Sequence, residues 1–348
     1  MALNLNYQPV ALVNIDGMPE DEWLRWRRKG IGGSDASIIL GDSPWRTAVD
    51  LYNDKVGIKP VILDEDNAFA KDYGHTVEPL IAKWFGIKTG LTVYKDSNMY
   101  QHPLFPFMLA DLDYRIRLAD GREGILEIKS TSFRNAKEWA DGRVPVHYEE
   151  QGRHYMAVMN LDFIWYCCLW GNNFDSDSVT VKLERDLGKE ENLIRNEAAF
   201  WQLVVDRTPP TYRGADPDLA LKSLKKYIGA GKKELPEVEL DAGMADTLDQ
   251  IADLEDEKAE YEGKAKSVGK QIDALSVPVI EKLQTAERGV LDLPDVLFHV
   301  KYPTRVTKTF DRKKCEQLYP DVFSELSGQS VSRSLKVERI EKSAQASA

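Results

Sequence analysis

The sequence predicts an α+β fold with an α/β-like core, in which helices flank a central sheet and are followed by a helical arm and a small tail. Three observations lead to this prediction. The first 210 residues mix stretches of helical and strand periodicity. An Asp-Gly pair, Asp120 and Gly121, indicates a β-hairpin. A heptad pattern of apolar residues begins after residue 237 and indicates a long helix.

Six stretches in the first 210 residues have helical periodicity or helix-start signals. The expected helices are 20–29, 34–40, 67–88, 135–139, 146–159 and 192–205. Ser34 is the expected N-cap of the second helix, directly after the flexible pair Gly32 and Gly33. Gly74 and Pro79 are expected to interrupt the third helix.

Four strands are expected in the same region. Residues 107–118 and 124–129 form the predicted hairpin, with its turn at 119–122. Residues 163–170 are all apolar and predict a buried strand, whereas 178–184 alternates and predicts a partly exposed one. The run at 163–170 is the longest apolar run, and a membrane helix requires roughly 20 residues. We therefore expect no contact with a membrane.

The cysteines and the N-terminus predict a cytoplasmic protein. Cys167 and Cys168 are adjacent in the apolar strand and Cys315 is isolated, so no CxxC pair offers a disulfide or zinc framework. Three cysteines are also too few for a four-cysteine iron–sulfur cluster. The first residues contain neither a basic nor a continuous apolar segment, so no secretion signal is expected.

The charge of the chain is unevenly distributed. Its 348 residues, 43% hydrophobic and 30% charged, have the composition of a soluble globular protein. The formal net charge of −11 argues, at face value, against a nucleic-acid partner. However, residues 236–288 carry 14 acidic and only 6 basic residues. Most of the negative charge therefore lies outside the first 210 residues, and it does not exclude nucleic acid as their partner.

Four segments are expected along the chain: a catalytic domain at 1–210, a linker at 211–237, a helical coiled-coil arm at 238–288 and a small appendage at 289–348. The helix of the arm is expected to end near Pro278. An acidic helical arm is more often a solvated face around a packing seam than a functional site. The seam consists of apolar residues at a and d positions: Leu240, Met244, Ile251, Leu254, Tyr261, Ala265, Val268, Ile272, Leu275 and Val279.

Acidic residues and a lysine come together on the predicted hairpin. Glu127 and Lys129 share one strand face because strand side chains alternate, and Asp111 and Asp113 are expected to share a face of the neighbouring strand. Two adjacent carboxylates repel each other unless a proton or a cation lies between them, and Mg²⁺ prefers such oxygen ligands. Lys129 would then orient a water or stabilise transition-state charge. The alternative is a structural salt bridge of Glu127 with Lys129 or Arg115.

A second constellation lies near the N-terminus. The free backbone N–H groups of a helix that starts after Gly32-Gly33, together with the Ser34 hydroxyl, predict an anion-binding pocket. Arg27 or Arg28 could pair with the same anion, and we expect Arg28 to make the contact. The alternative is an ordinary capped helix. Trp45, after Pro44, is expected to be a packed turn residue rather than a base wedge.

These motifs resemble a known nuclease group. Glu78, Asp113, Glu127-Ile128-Lys129 and Gln151 resemble, in this order, the PD-(D/E)xK superfamily. The block RRKGIGGSDASIILGDSPW at 27–45 is similar to the opening motif of the YqaJ-type viral recombinases, phage exonucleases related to lambda exonuclease. The resemblance covers about residues 20–206. It implies a restriction-endonuclease-like central mixed sheet flanked by helices.

The resemblance also implies roles for individual residues. Asp113, Glu127 and the Ile128 carbonyl would bind the catalytic metal, with Glu78 at a second metal position and His75 as a further candidate ligand. Lys129 would position the attacking water, and Gln151 would support that lysine or the scissile phosphate. The implied contacts with the 5′-phosphate and DNA are Arg28, Arg27, Ser34, Gly33 and Arg153. The chain departs from the family pattern at Tyr114 and Arg153, which leaves the fine substrate geometry open.

The function implied is that of a Mg²⁺-dependent DNA exonuclease, with Mn²⁺ able to substitute. It would degrade double-stranded DNA ends from 5′ to 3′ and leave 3′ single strands for a phage single-strand annealing protein. Relatives form rings of three or four subunits, and the implied setting is the cytoplasm of a bacterial host. Two alternatives stay open: an endonuclease with the same residues, and a DNA-binding scaffold that recruits a recombination partner.

Overall fold

A computed structural model describes residues 3–62, 68–307, 309–328, 335 and 337. The chain divides into two compact units, Met1–Gly229 and Ala230–Ala348. The first unit has an α+β architecture with a central mixed sheet, which confirms the predicted fold class at this level. In the described part of the chain, no helix is both long and apolar enough to cross a membrane.

The central sheet has five strands in the order β2-β5-β6-β7-β8. The strands are β2 Thr92–Tyr94, β5 Tyr114–Arg117, β6 Glu123–Ser130, β7 Phe163–Leu169 and β8 Ser178–Glu184. β6 and β7 are parallel and the other neighbours are antiparallel. A parallel pair needs a crossover. Here the crossover is a 3₁₀ segment, Ala136–Gly142, and helix α5, Val146–Met159.

The predicted strand 107–118 is wrong, because the chain changes sheets there. Residues Leu109–Asp111 form β4, which belongs to a three-stranded antiparallel sheet with β1, Val10–Asn14, and β3, Asn98–Gln101. Asp113 follows this strand and precedes β5, and its Oδ2 accepts a hydrogen bond from the Ile128 amide at 2.9 Å. The alternation of side chains predicted that Asp111 and Asp113 share one strand. In the structure Asp111 ends β4, and Asp113 lies between β4 and β5.

The described part of the first unit contains six further helices: α1 Glu20–Arg27, α2 Gly33–Leu40, α3 Ala48–Val56, α4 Ala68–Thr89, α6 Leu187–Val205 and α7 Pro217–Ile228. α4 continues through Gly74 and Pro79, so the predicted interruption is wrong. Its buried residues Ile81 and Phe85 pack against the sheet, and this packing outweighs the hydrogen bond that a proline removes. α3 was not predicted, although Thr47 caps it and accepts from the Asp50 amide.

Two predictions differ from the structure: the N-cap of α2 and the linker at 211–237. The N-cap of α2 is Gly32 rather than Ser34, and the Asp35 carboxylate accepts a 3.0 Å hydrogen bond from the Gly32 amide. The segment expected to be a linker, 211–237, contains α7. Ser223 of this helix is buried and donates to Asp50 of α3 at 2.8 Å, so α7 is attached to the first unit.

The core lies on both faces of the central sheet. On one face, α4 covers Leu126 and Ile128 of β6 and Phe163 of β7. On the other face, α5 covers Ile125 and Ile164. Because both faces are covered, β7 is apolar throughout, as a buried strand should be. Glu127 points to the α5 face, where it is 1% exposed.

The second unit contains the long helix that the heptad pattern predicts. α8 spans Ala245–Leu283 and continues through Pro278, so its predicted end is wrong by about one turn. The seam side chains after Ala252 are exposed, among them Leu254, Tyr261 and Leu275. A hairpin of β9, Arg288–Leu293, and β10, Val296–Lys301, follows, and then two short helices, α9 Arg312–Leu318 and α10 Pro320–Leu326. Val331 and most of the last residues of the predicted appendage lie outside the described residues.

Candidate active site

One cleft collects most of the residues that the sequence analysis singled out. It has a volume of about 670 Å³. Residues from the ends of strands, from α4 and from α5 meet there, although they are far apart in sequence. The cleft is lined by Glu78, Asp113, Glu127, Ile128, Lys129 and Gln151 of the predicted catalytic set, together with His75, Arg27 and Ser34.

Glu127 lies at the centre of the polar contacts. Its Oε1 accepts from Lys129 Nζ at 2.6 Å and from Gln151 Nε2 at 2.7 Å. Its other oxygen, Oε2, is buried and has no hydrogen-bond partner in the described part of the chain. An orphaned carboxylate oxygen in a buried position is unfavourable, because nothing replaces the water that it has lost. A hydrogen-bond donor or a cation bound to this oxygen would remove the penalty.

Burial and the charge of Asp113 raise the pKa values of the acids in the cleft. Burial, and next the charge of Asp113, raise the pKa of Glu127 to about 8, although Lys129 offsets part of the effect. Burial and Asp113 raise the pKa of Glu78 to about 7. The pKa of Asp113 is also raised, first by burial, while Lys129 and the Ile128 amide oppose the shift. The raised pKa values of the three acids show that an additional positive charge near them would be favourable.

Lys129 is the cation in direct contact with Glu127. Its ammonium also donates to Gln151 Oε1 at 3.2 Å and lies 4.6 Å from the centre of the Tyr148 ring. Burial alone would lower its pKa, but the charges of Glu127 and Asp113 outweigh burial and raise it. Lys129 is therefore held as a charged donor. The Glu127–Lys129 salt bridge is present. This contact is common to the catalytic interpretation of the two residues and to the alternative of a structural salt bridge.

The cleft provides oxygen donors but no preassembled metal cage. Among the described residues, no three His, Cys, Asp or Glu side chains converge closely enough to hold a metal ion by themselves. The oxygen groups available are the orphaned Glu127 Oε2, Asp113, Glu78 and the backbone at Ile128. An oxygen-only set with excess negative charge fits a hard divalent cation such as Mg²⁺ or Mn²⁺. Backbone and substrate oxygens would have to complete such a site.

The N-terminal block contributes Arg27 to the cleft, and not Arg28. Arg27 Nη2 donates to Ser34 Oγ at 2.8 Å and lies 3.6 Å from Asp35 Oδ1. Lys55 Nζ, buried behind them, donates to Asp35 Oδ2 at 2.7 Å. Arg28 instead pairs with an aspartate on α3 at 3.1 Å and faces another cavity. The position of Arg28 therefore does not support the predicted preference for it over Arg27, and contact of either arginine with a phosphate stays a prediction.

The two glycines of this block are explained by packing. A Cβ at Gly32 would lie 2.5 Å from the Arg27 guanidinium, and one at Gly33 would lie 2.5 Å from the Tyr155 ring. Gly33 therefore allows α2 to approach α5 but does not itself line the cleft. Arg153, the last predicted DNA contact, pairs with a glutamate one helical turn away at 2.6 Å and lines a different cavity.

Several side chains of the cleft were not among the predicted site residues. Tyr148 and Tyr155 lie on the same face of α5 as Gln151, and Tyr155 Oη accepts from Gln151 Nε2 at 3.2 Å. Their spacing of three and four residues is a helical signal that could have grouped them. Lys95 also lines the cleft, and its charge opposes the rise in the pKa of Glu78. Only the tertiary structure brings this lysine to the acids.

The comparisons with known proteins place the chain in a family. Residues 22–162 match the YqaJ-like viral recombinase domain. A Bacillus subtilis (strain 168) protein described as uncharacterized protein YqaJ is 31% identical over 333 residues, which cover 95% of this chain and 98% of that protein. The chain belongs to the YqaJ family. Every predicted site residue of this YqaJ-family chain lies within the matched domain.

Solved structures similar to this YqaJ-family chain include two exonucleases. An alkaline exonuclease from Laribacter hongkongensis has a TM-score of 0.46 and 18% identity, covering 54% of this chain and 94% of that one. A phage-related exonuclease from Haemophilus somnus 129PT has a TM-score of 0.40 and 15% identity, covering 53% and 97%. Both similarities extend over about half of this chain.

Proposed function

We propose that the protein is a metal-dependent DNA exonuclease that degrades double-stranded DNA ends from 5′ to 3′. The observation that carries the proposal is that three acids, Glu78, Asp113 and Glu127, line one cleft with Lys129, while a buried carboxylate oxygen of Glu127 has no partner among the described residues. This arrangement fits a site completed by a divalent cation and a phosphate. Membership of the viral recombinase family supports a role in DNA recombination.

Asp113, Glu127 and the Ile128 carbonyl would hold the cation, with Glu78 at a second position. When bound, Mg²⁺ or Mn²⁺ supplies Lewis-acid activation of the phosphodiester. Lys129, fixed by Glu127 and Gln151, would orient the attacking water and stabilise the charge that develops on the phosphate. Gln151 contacts both residues and keeps the lysine directed at the cleft.

Arg27 and Ser34 would receive the 5′-phosphate of the degraded strand. Both line the catalytic cleft, and the Arg27 guanidinium is held against the Ser34 hydroxyl. Burial would lower the pKa of Arg27, but the neighbouring carboxylates outweigh this effect and keep it charged. A charged guanidinium beside a hydroxyl suits a terminal phosphate. The products would be 3′ single strands for an annealing protein.

The assembly and the segment roles are part of the same proposal. The predicted catalytic domain, 1–210, would form a ring of three or four subunits around DNA. The exposed seam of α8 in the coiled-coil arm, 238–288, would contact either another subunit or the annealing protein. The protein would act in the cytoplasm of a bacterial host of the phage or prophage that encodes it.

The test uses three DNA substrates with Mg²⁺ or a chelator: linear duplex with a 5′-phosphate, linear duplex with a 5′-hydroxyl and a covalently closed circle. We expect degradation of the phosphorylated linear duplex and survival of the circle. Asp113→Ala and Glu127→Ala should lower the rate on the order of 100-fold or more. Asp120→Ala, in the exposed hairpin turn, is the matched control and should retain the parent rate.

Each alternative function has its own outcome. Cleavage of the circle would identify an endonuclease instead. Binding of DNA ends without hydrolysis under any metal condition would identify a scaffold. Parent-like activity of Asp113→Ala and Glu127→Ala would show that the chemistry takes place elsewhere. Strand polarity follows from comparing substrates labelled at the 5′ or the 3′ end.

A further inference from the structure

Trp45 is an aromatic side chain exposed in the candidate cleft. It is 58% exposed and lines the same cleft as Glu127 and Lys129. The sequence predicts a packed turn residue at Trp45, and its exposure contradicts that prediction. An exposed tryptophan is not unusual in itself. What suggests a function is that this exposed ring lines a cleft together with buried polar side chains.

The loop that carries Trp45 is held in place. The backbone amides of Trp45 and Arg46 each lie 3.3 Å from Ser43 Oγ, which accepts from both. Ser43 is buried, and Arg46 also donates to the backbone oxygen of Asp50 at 3.1 Å. Thr47 then caps α3. The indole is therefore presented on a fixed support, which lowers the entropic cost of binding a flat ligand.

Two aromatic rings connect Trp45 to the catalytic lysine. The His147 ring meets the indole edge-on, with the ring centres 4.7 Å apart, and the Tyr148 ring lies 6.3 Å away. Tyr148 in turn lies under the Lys129 ammonium. Burial lowers the pKa of His147, which favours the uncharged form of its ring. Trp45 and His147 thus form a mostly apolar ledge beside the lysine.

We propose that Trp45 and His147 form a stacking subsite for the terminal nucleobase of the DNA end. The inference rests on the proposed nuclease function and extends it from the phosphate to the base. The ledge provides aromatic faces, and every nucleobase has a π-face, so stacking accepts all four bases. Such recognition suits an enzyme that must remove nucleotides regardless of sequence. The base would be held while Arg27 and Lys129 contact the phosphates.

The test measures stacking directly on a protein that cannot hydrolyse DNA. Glu127→Gln serves as the background, and the probe is a duplex with 2-aminopurine at its 5′ end. We expect stacking on Trp45 to quench the probe. Adding Trp45→Ala should abolish the quench and weaken end binding roughly 5- to 150-fold, the range of one stacked base. Trp45→Phe should restore most of the quench because it restores an aromatic face.

Trp84→Ala is the matched control. Trp84 is 40% exposed on α4 and lines a different cavity, so its removal should leave both the quench and the affinity unchanged. A second duplex with internal 2-aminopurine should show no change in any variant. Thermal unfolding should give the same Tm for Trp45→Ala as for the background, since the side chain is exposed.

Three results would overturn the inference. Unchanged quenching in Trp45→Ala would show that the terminal base does not stack on Trp45. If the parent protein still hydrolysed DNA, the nuclease proposal would not be affected by this result. A lower assembly mass of Trp45→Ala in light scattering, with normal quenching, would make Trp45 a contact between subunits. Absence of both hydrolysis by the parent and end binding by the background would refute the nuclease function together with the subsite.

Discussion

The buried carboxylate of Glu127 predicts a pH dependence of stability that metal should remove. In the folded, metal-free protein its pKa is about 8, against an ordinary glutamate value of 4.5. Between these values the folded state holds a proton that the unfolded state has lost. The contribution of Glu127 is therefore fully present below pH 4.5 and is lost as pH rises towards 8.

The size of the effect follows from the shift. One pKa unit corresponds to about 1.4 kcal/mol, and the folded protein has released half of the Glu127 proton at pH 8, so Glu127 lowers the free energy of unfolding by about 2 kcal/mol between pH 6 and pH 8. For a unit of this size, that change lowers the Tm by roughly 4–8 °C. Glu127→Gln keeps the shape of the side chain but removes the titration. We expect its Tm to fall less than that of the parent over the same pH range, because only Glu78, whose pKa is raised to about 7, still titrates at the site.

Thermal unfolding at pH 6 and pH 8, with a chelator or with Mg²⁺, measures this difference. Mg²⁺ should raise the Tm of the parent most at pH 8 and have little effect on Glu127→Gln. Glu184→Gln, whose carboxylate is 66% exposed on β8, is the control and should follow the parent. Parallel pH profiles for the parent and Glu127→Gln would refute the buried-acid reasoning, as would equal stabilisation of both by Mg²⁺.

Two further predictions concern the support of the site. Gly152→Ala should destabilise the protein by roughly 1–3 kcal/mol, because the added methyl would collide with the Tyr166 hydroxyl; Gly263→Ala, in open space on α8, should be neutral or slightly stabilising. Denaturant titration of both measures the contrast, and equal effects would contradict it. Lys55→Met should cost about 3–5 kcal/mol, since it leaves the Asp35 carboxylate buried with a weaker partner; an unchanged unfolding midpoint would disprove this.

The parts of the site that sequence could predict are those determined by local periodicity. Glu127 and Lys129 share a face because strand side chains alternate, and the structure joins them at 2.6 Å. The choice between Arg27 and Arg28 depended instead on where α1 ends and turns. Adjacent helical residues point about 100° apart, so an error of one residue moves the predicted contact from the cleft to a neighbouring surface.

Other features needed the tertiary structure. The division of 107–118 into two strands arises because β4 pairs with β3 while β5 pairs with β6, and the apolar pattern is the same for one strand or two. The exposure of Trp45 likewise depends on what packs against its loop. By contrast, the capping pair Thr47 and Asp50 was a readable local signal for α3.

The arrangement around α5 explains how an unfavourable site can persist in the core. Tyr148, Gln151 and Tyr155 occupy one face of this helix, and Gln151 donates to Glu127. Gly152 allows the helix to approach β7 closely enough for that contact, because any side chain there would strike Tyr166. The same close packing removes water from Glu127 and leaves Oε2 without a partner. The stability lost at this carboxylate is therefore a direct consequence of the geometry that fixes Lys129, and a bound cation would recover it.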